Sequence, residues 1–139
     1  MAGDQARYTM LRQGLQGQGW AEVSKWEIQR GGISYTVDTL RAMEQKHSGA
    51  SFFWIMGSDQ WDLLPSWKES QTLRQKLHFL VFPRPRPPRP RRGFLMREIP
   101  LRLDISATEV RRRIRKNLPI TGLVPPAVET FISSRRWYR

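Results

Sequence analysis

At 139 residues the chain can fill one domain of ordinary size but not two, and with no cysteine it has no disulfides, thiolate metal sites or cysteine nucleophiles. Hydrophobic residues make up 39% and the mean hydropathy is −0.58, as in a soluble globular chain. Twenty-four Lys and Arg against 12 Asp and Glu give a net charge of +12, which favours a polyanionic ligand or partner without choosing between a nucleotide and a nucleic acid. The first residues lack the apolar stretch of a signal peptide, and no run is long enough to span a bilayer, so a cytoplasmic location and no membrane partner are expected.

In chain order, Ala6, Met10, Leu11 and Leu15 recur at helical spacing and predict an amphipathic helix from Asp4 to about Gln16, stopped by Gly17 and Gly19. Val23, Trp26 and Ile28 make Ala21 to Ile28 a strand candidate closed by Gly31-Gly32. Val37, Leu40 and Met43 mark a second helix ending near Gly49, with His47 at its end. Phe52-Phe53-Trp54-Ile55-Met56 reads as a parallel strand buried on both faces, ending at Gly57-Ser58-Asp59, where open α/β sheets place ligands. Ser66 and Glu69 have capping-box spacing and predict a helix from there to about Lys76, with Trp67 just inside its start. His78 to Phe82 is a second buried strand.

From Pro83 to Gly93 the sequence is almost entirely Pro and Arg, which predicts an extended, solvated loop. Leu95 to Leu103, interrupted by Pro100, fits an edge strand. Pro125-Pro126 opens a last helix with Val128, Phe131 and Ile132 on its buried face. Alternating strands and helices predict one α/β domain over residues 1–139.

The most informative stretch is Ile105-Ser106-Ala107-Thr108-Glu109-Val110-Arg111. Ser106 and Glu109 form a capping box, so a helix begins there. Its first turn offers unpaired N–H donors and the positive end of the dipole, while Thr108 adds a hydroxyl and Arg111 a forked cation, an arrangement suited to a nucleotide phosphate.

Taken in order, Ser34-Tyr35-Thr36-Val37-Asp38-Thr39-Leu40, then Gly57-Ser58-Asp59 with Leu64-Pro65-Ser66-Trp67, then Ile105 to Arg111 resemble the bacterial nicotinate-nucleotide adenylyltransferases, whose pattern runs SYTxDTL, GxD with LPxW, and ISxTxxR. Weaker matches at Met10-Leu11, Phe82-Pro83-Arg84 and Leu123-Val124-Pro125 extend the resemblance over nearly the whole chain. It implies a Rossmann-like nucleotidyltransferase fold and an enzyme of NAD biosynthesis. That reaction joins ATP, with Mg2+, to nicotinate mononucleotide, giving deamido-NAD and pyrophosphate.

The same resemblance assigns Ser106, Thr108 and Arg111 to the ATP phosphates and Gly57 and Asp59 to the adenosine ribose. Trp67, with Tyr35, Thr36 and Arg84, falls to nicotinate mononucleotide. Where the family commonly reads ISST this chain has Ala107, one hydroxyl fewer. The strand ends at Gly57 and Phe82 and the start of the Ser106 helix are expected to face one cleft.

The family's opening strand and HxGH loop have no counterpart here, since His47 and His78 are the only histidines and are read as surface residues. The chain therefore reads as N-terminally truncated and weak or inactive on its own, with no catalytic residue or protein metal ligand assigned. A competing reading is a non-enzymatic nucleic-acid or polyanion-binding module built on the Arg-Pro segment.

Overall fold

The computed structural model describes residues 2–84, 86–101 and 105–138. The fold gathers into two compact units, Met1–Gly31 with Ile105–Arg139, and Gly32–Asp104.

The second unit holds the sheet. Helix α3 (Thr36–Lys46) buries Val37 and Leu40, and His47 caps its end. Strand β1 (Phe52–Gly57) runs directly into helix α4 (Ser58–Leu63), a 3-10 turn (Leu64–Ser66), helix α5 (Ser70–Lys76), strand β2 (Leu77–Phe82) and strand β3 (Leu95–Glu98). The three strands pair in parallel in the order β1-β2-β3. The register sets Trp54 opposite Phe79 and Met56 opposite Val81. Those side chains meet Val37, Leu40, Trp61, Leu64, Leu73 and Leu77 in one core. Trp61 and Phe79 are fully buried, with ring centroids 5.5 Å apart, and Phe94 closes the aromatic group at 5.7 Å from Trp61. Such edge-on contacts add to the area that these large rings remove from water.

Strand β1 departs from the expected burial on both faces. Phe53 and Ile55 are 57% and 66% exposed, and only the alternate residues point into the core. A short apolar run does not separate one-sided from two-sided burial, and β1 lies at the sheet edge rather than its centre. His78 stacks on its register partner Phe53 at 4.9 Å on that open face. The second strand follows expectation, with Leu77, Phe79 and Val81 buried. Strand β3 is at the opposite edge and ends two residues before Pro100, although Ile99 still donates to the Val81 carbonyl at 3.0 Å. The end of that strand candidate, residues 102–103, lies outside the described residues.

The helix predicted from Ser66 begins later. Ser66 sits in the 3-10 turn with its hydroxyl donating to the Leu63 carbonyl at 2.7 Å, and α5 begins at Ser70 with no side-chain cap. Trp67 is extended (φ −70°, ψ 149°), and Glu69, at φ 51°, precedes α5 in the left-handed region. Pro65 fixes the backbone of the preceding turn and displaces the helix start. Trp67 thus lies between two helical segments, half-buried against the core.

The other unit is helical. Helix α1 (Asp4–Gly14) packs on α7 (Pro126–Ser134), whose Val128 and Ile132 join Val110 and Ile120 in a second core. The expected strand over Ala21–Ile28 is absent among the described residues. The segment carries helix α2 (Trp26–Arg30), whose first N–H donates to Ser24 Oγ at 3.1 Å. A serine two residues ahead offers a local alternative to strand pairing. Helix α6 (Ala107–Arg115) begins where the sequence places it. At its far end the Leu118 N–H reaches the Arg113 carbonyl and the Asn117 N–H that of Ile114, a Schellman closure with Asn117 at φ 52°.

Candidate functional site

Gly57 and Phe82 are register partners, so the carboxyl ends of β1 and β2 lie side by side. The Asp59 carboxylate folds back over the Gly57 backbone, and a Cβ added at Gly57 would collide with Asp59 Oδ1 and lie 3.6 Å from Arg84 Cδ. A side chain at this position would displace the Asp59 carboxylate from where it lies, while the arginine stem would stay in ordinary contact. The structure therefore brings Gly57, Asp59 and Arg84 together at one strand end.

Ser58 holds that arrangement. Its side chain is 3% exposed, its Oγ accepts from the Arg84 N–H at 2.7 Å, and the carbonyls of Arg84 and Arg86 each lie 2.7 Å away. One hydroxyl proton serves those two carbonyls in turn. The chain after β2 is thereby tied to the chain after β1. One helical turn on, the Trp61 indole N–H donates to the Arg89 carbonyl at 2.8 Å, and Pro88 is buried. The Pro-Arg segment is thus an anchored loop rather than the wholly solvated one its composition predicts. The ties run through its backbone carbonyls, which a side-chain reading overlooks.

A second cluster surrounds the start of α3. Tyr35 is its N-cap residue and Thr36 its first residue. Lys68 Nζ lies 4.4 Å over the Tyr35 ring and 3.4 Å from Asp38 Oδ2. Arg41 forms a two-pronged pair with Glu69 at 2.5 and 3.1 Å and also approaches Asp38 at 3.6 Å. Hydrogen bonding to Arg41 holds the Glu69 carboxyl below its usual range, and the same bond raises the Arg41 guanidinium. The pair ties the residue before α5 to α3, on the same side as the Lys68 contacts with Tyr35 and Asp38.

Helix α6, in the other unit, carries the remaining predicted residues. Ser106 Oγ accepts from the Glu109 N–H at 3.1 Å, the expected cap, but Glu109 does not reach back to Ser106. Its carboxylate instead takes Arg112 at 2.6 and 2.7 Å and Arg113 at 3.1 Å. Those bonds, that to Arg112 foremost, lower its pKa to about 2. Two of three consecutive arginines thus share one carboxylate. Arg111 donates to Thr108 Oγ1 at 3.3 Å and has no carboxylate partner among the described residues. A hydroxyl, a guanidinium and the free amides of a nine-residue helix lie at one end, where the dipole favours anions.

The profile of the cytidylyltransferase-like family matches residues 1–113. The chain belongs to that family. Among solved structures, this cytidylyltransferase-like chain is similar to a nicotinic acid mononucleotide adenylyltransferase of Plasmodium falciparum complexed with NaAD, with a TM-score of 0.78 and 18% identity over 99% of this chain and 75% of that one. A structure of a Plasmodium falciparum nicotinic acid mononucleotide adenylyltransferase complexed with APC gives 0.77 and 18% over 99% and 77%. These similarities carry the fold, and the parallel sheet with its helices is the Rossmann-like nucleotidyltransferase fold that the motifs imply.

Sequence reasoning missed the organising roles of Ser58 and Trp61 in this cytidylyltransferase-like chain, and read Glu69 as a capping-box partner rather than the left-handed residue paired with Arg41. Ser58 had a signal, a small hydroxyl residue directly after a buried strand. Glu69 had none, since a non-glycine residue at positive φ is visible only from the backbone.

Proposed function

We propose that the chain binds ATP and nicotinate mononucleotide and aligns them for adenylyl transfer, giving deamido-NAD and pyrophosphate. The mononucleotide's 5′-phosphate oxygen attacks the α-phosphorus of ATP while the bond to the pyrophosphate oxygen breaks, so no covalent protein intermediate is needed. The protein contributes alignment and charge stabilisation. The observation that carries the reading is the start of α6, where Glu109 engages both Arg112 and Arg113 and leaves Arg111 beside Thr108 at a capped helix end. The two similar structures, complexed with NaAD and with APC, support a nucleotide-binding reading.

In this reading Ser106, Thr108 and Arg111 hold the ATP phosphates, and Gly57 and Asp59 receive the adenosine ribose, the carboxylate accepting from its hydroxyls. Tyr35, Thr36 and Trp67 bound the pyridine ring, and Arg84 faces the mononucleotide. Among the described residues no group of three or more His, Asp or Glu could hold a metal ion. A magnesium ion carried on the ATP phosphates and completed by water would neutralise charge on the phosphoryl oxygens.

The test is calorimetric titration of residues 1–139 with MgATP and with nicotinate mononucleotide, beside chromatographic detection of deamido-NAD. Saturable one-to-one binding of both ligands is expected. Turnover is expected to be slow, because the HxGH pair that stabilises the reacting phosphates in the resembling enzymes is not in these residues. Absence of binding by either ligand would refute the proposal.

A further inference from the structure

We propose that the Pro-Arg loop, with Asp62, forms a binding pocket for a small multiply charged anion of the oligophosphate class, distinct from the nucleotide contacts assigned above. Residues Asp62, Arg86, Pro87, Arg89, Pro90 and Arg91 line a concavity of about 390 Å³, within the range that holds small ligands. Three arginines and one aspartate thus share its lining. A chain of this composition would ordinarily sample many conformations, but this one is pinned at several points. Ser58 holds the Arg84 amide and bonds the Arg84 or Arg86 carbonyl, Trp61 holds the Arg89 carbonyl, and Pro88 is buried. Arg91 reaches the Asp62 carbonyl at 3.3 Å and its carboxylate at 3.5 Å, with its guanidinium 5.9 Å from the centre of the Trp61 ring.

Arg86 and Arg89 are exposed and line the concavity together with Arg91. Among the described residues Arg86 and Arg89 have no carboxylate partner. Arg91 Nε is a donor without an acceptor among the described residues and is buried from solvent, so an anion oxygen reaches it as the Arg91 side chain turns toward the concavity. An unpaired buried N–H is costly and marks a place where an acceptor belongs. Phosphate oxygens match guanidinium forks, and the prolines hold those forks in place before binding, which lowers the entropic cost of capture.

A nucleic-acid strand fits less well. Single-stranded sites interleave cations with aromatic platforms, whereas this lining has no aromatic residue and Trp61 beneath it is fully buried.

The probes are inorganic diphosphate, inorganic monophosphate and chloride at matched ionic strength, titrated into the full chain and followed at the arginine Nε–H resonances. Diphosphate should shift the Arg91 Nε–H signal saturably, at least about tenfold more tightly than monophosphate, the worth of about one added charge-assisted bond. The double variant R86Q/R89Q should weaken this by at least about tenfold while leaving the Trp61 indole signal in place, which shows the loop still docked. Reading the Arg91 signal separates this pocket from any phosphate bound near Arg111, so either assignment can fail alone. An equal shift with chloride, or no loss in the double variant, would overturn the proposal. So would oligothymidylates whose affinity at this signal grows with length beyond that of diphosphate.

Discussion

Replacing Ser58 with alanine removes one oxygen from a site where the backbone after β1 is tied to the backbone after β2. The Arg84 N–H loses its 2.7 Å acceptor and falls back on the Arg86 carbonyl at 3.3 Å, while two carbonyls lose the proton they share. A lost intramolecular hydrogen bond costs about 1 kcal/mol net, and a buried group left without its partner costs about 1–3 kcal/mol. Arg86 is exposed, so its carbonyl regains water and the orphan penalty falls mainly on the Arg84 peptide. The expected destabilisation is therefore about 2 kcal/mol. Urea unfolding followed at the Trp61 indole resonance gives the free energy, and amide exchange at Arg84 gives the local effect. Ser66→Ala is the control, because its exposed hydroxyl bonds only the nearby Leu63 carbonyl and should change stability by less than about 0.5 kcal/mol. A Ser58→Ala loss no larger than that of Ser66→Ala, with Arg84 exchange unchanged, would refute the view that this hydroxyl anchors the loop.

Glu109 titrates at about 2 in the folded chain, below an ordinary glutamate, so its contribution is fully present above about pH 4.5 and is lost as pH falls toward 2. A carboxyl carbon titration should show the low midpoint, and Glu109→Gln should abolish the α6 dependence over that window; a midpoint near 4.5 contradicts the pairing with Arg112 and Arg113. Asn117→Ala places a residue without a local hydrogen-bonding side chain at φ 52° and should lower stability by about 1 kcal/mol in thermal unfolding, whereas no loss would mean that the Schellman turn is not held there.

The α/β alternation was legible from apolar spacing at α3, β2 and α7, and from spacing with a cap at α6. Ser106 bonds the very amide that its spacing with Glu109 predicts. Legibility failed where a competing local interaction won. At α5, Pro65 and the Ser66 bond to Leu63 moved the helix start to Ser70. Around Trp26, Ser24 favoured a turn of helix over strand pairing. At β1, the string of apolar residues said nothing of which face is covered. Of the candidate site, the sequence placed Gly57 at a strand end, Tyr35 with Thr36 at a helix start, and Arg111 near a capped amide. It did not reveal the Arg41–Glu69 pair or Ser58, because those contacts join segments far apart in the chain.

The ligand assignment is tested most directly by measuring both ligands on two variants by calorimetry. Arg111→Ala removes a phosphate cation, and Trp67→Leu removes an aromatic face while keeping an apolar side chain against the core. The account predicts crossed losses: ATP weakened about tenfold or more by Arg111→Ala with nicotinate mononucleotide little changed, and the reverse for Trp67→Leu. Equal losses of both ligands in both variants would contradict it.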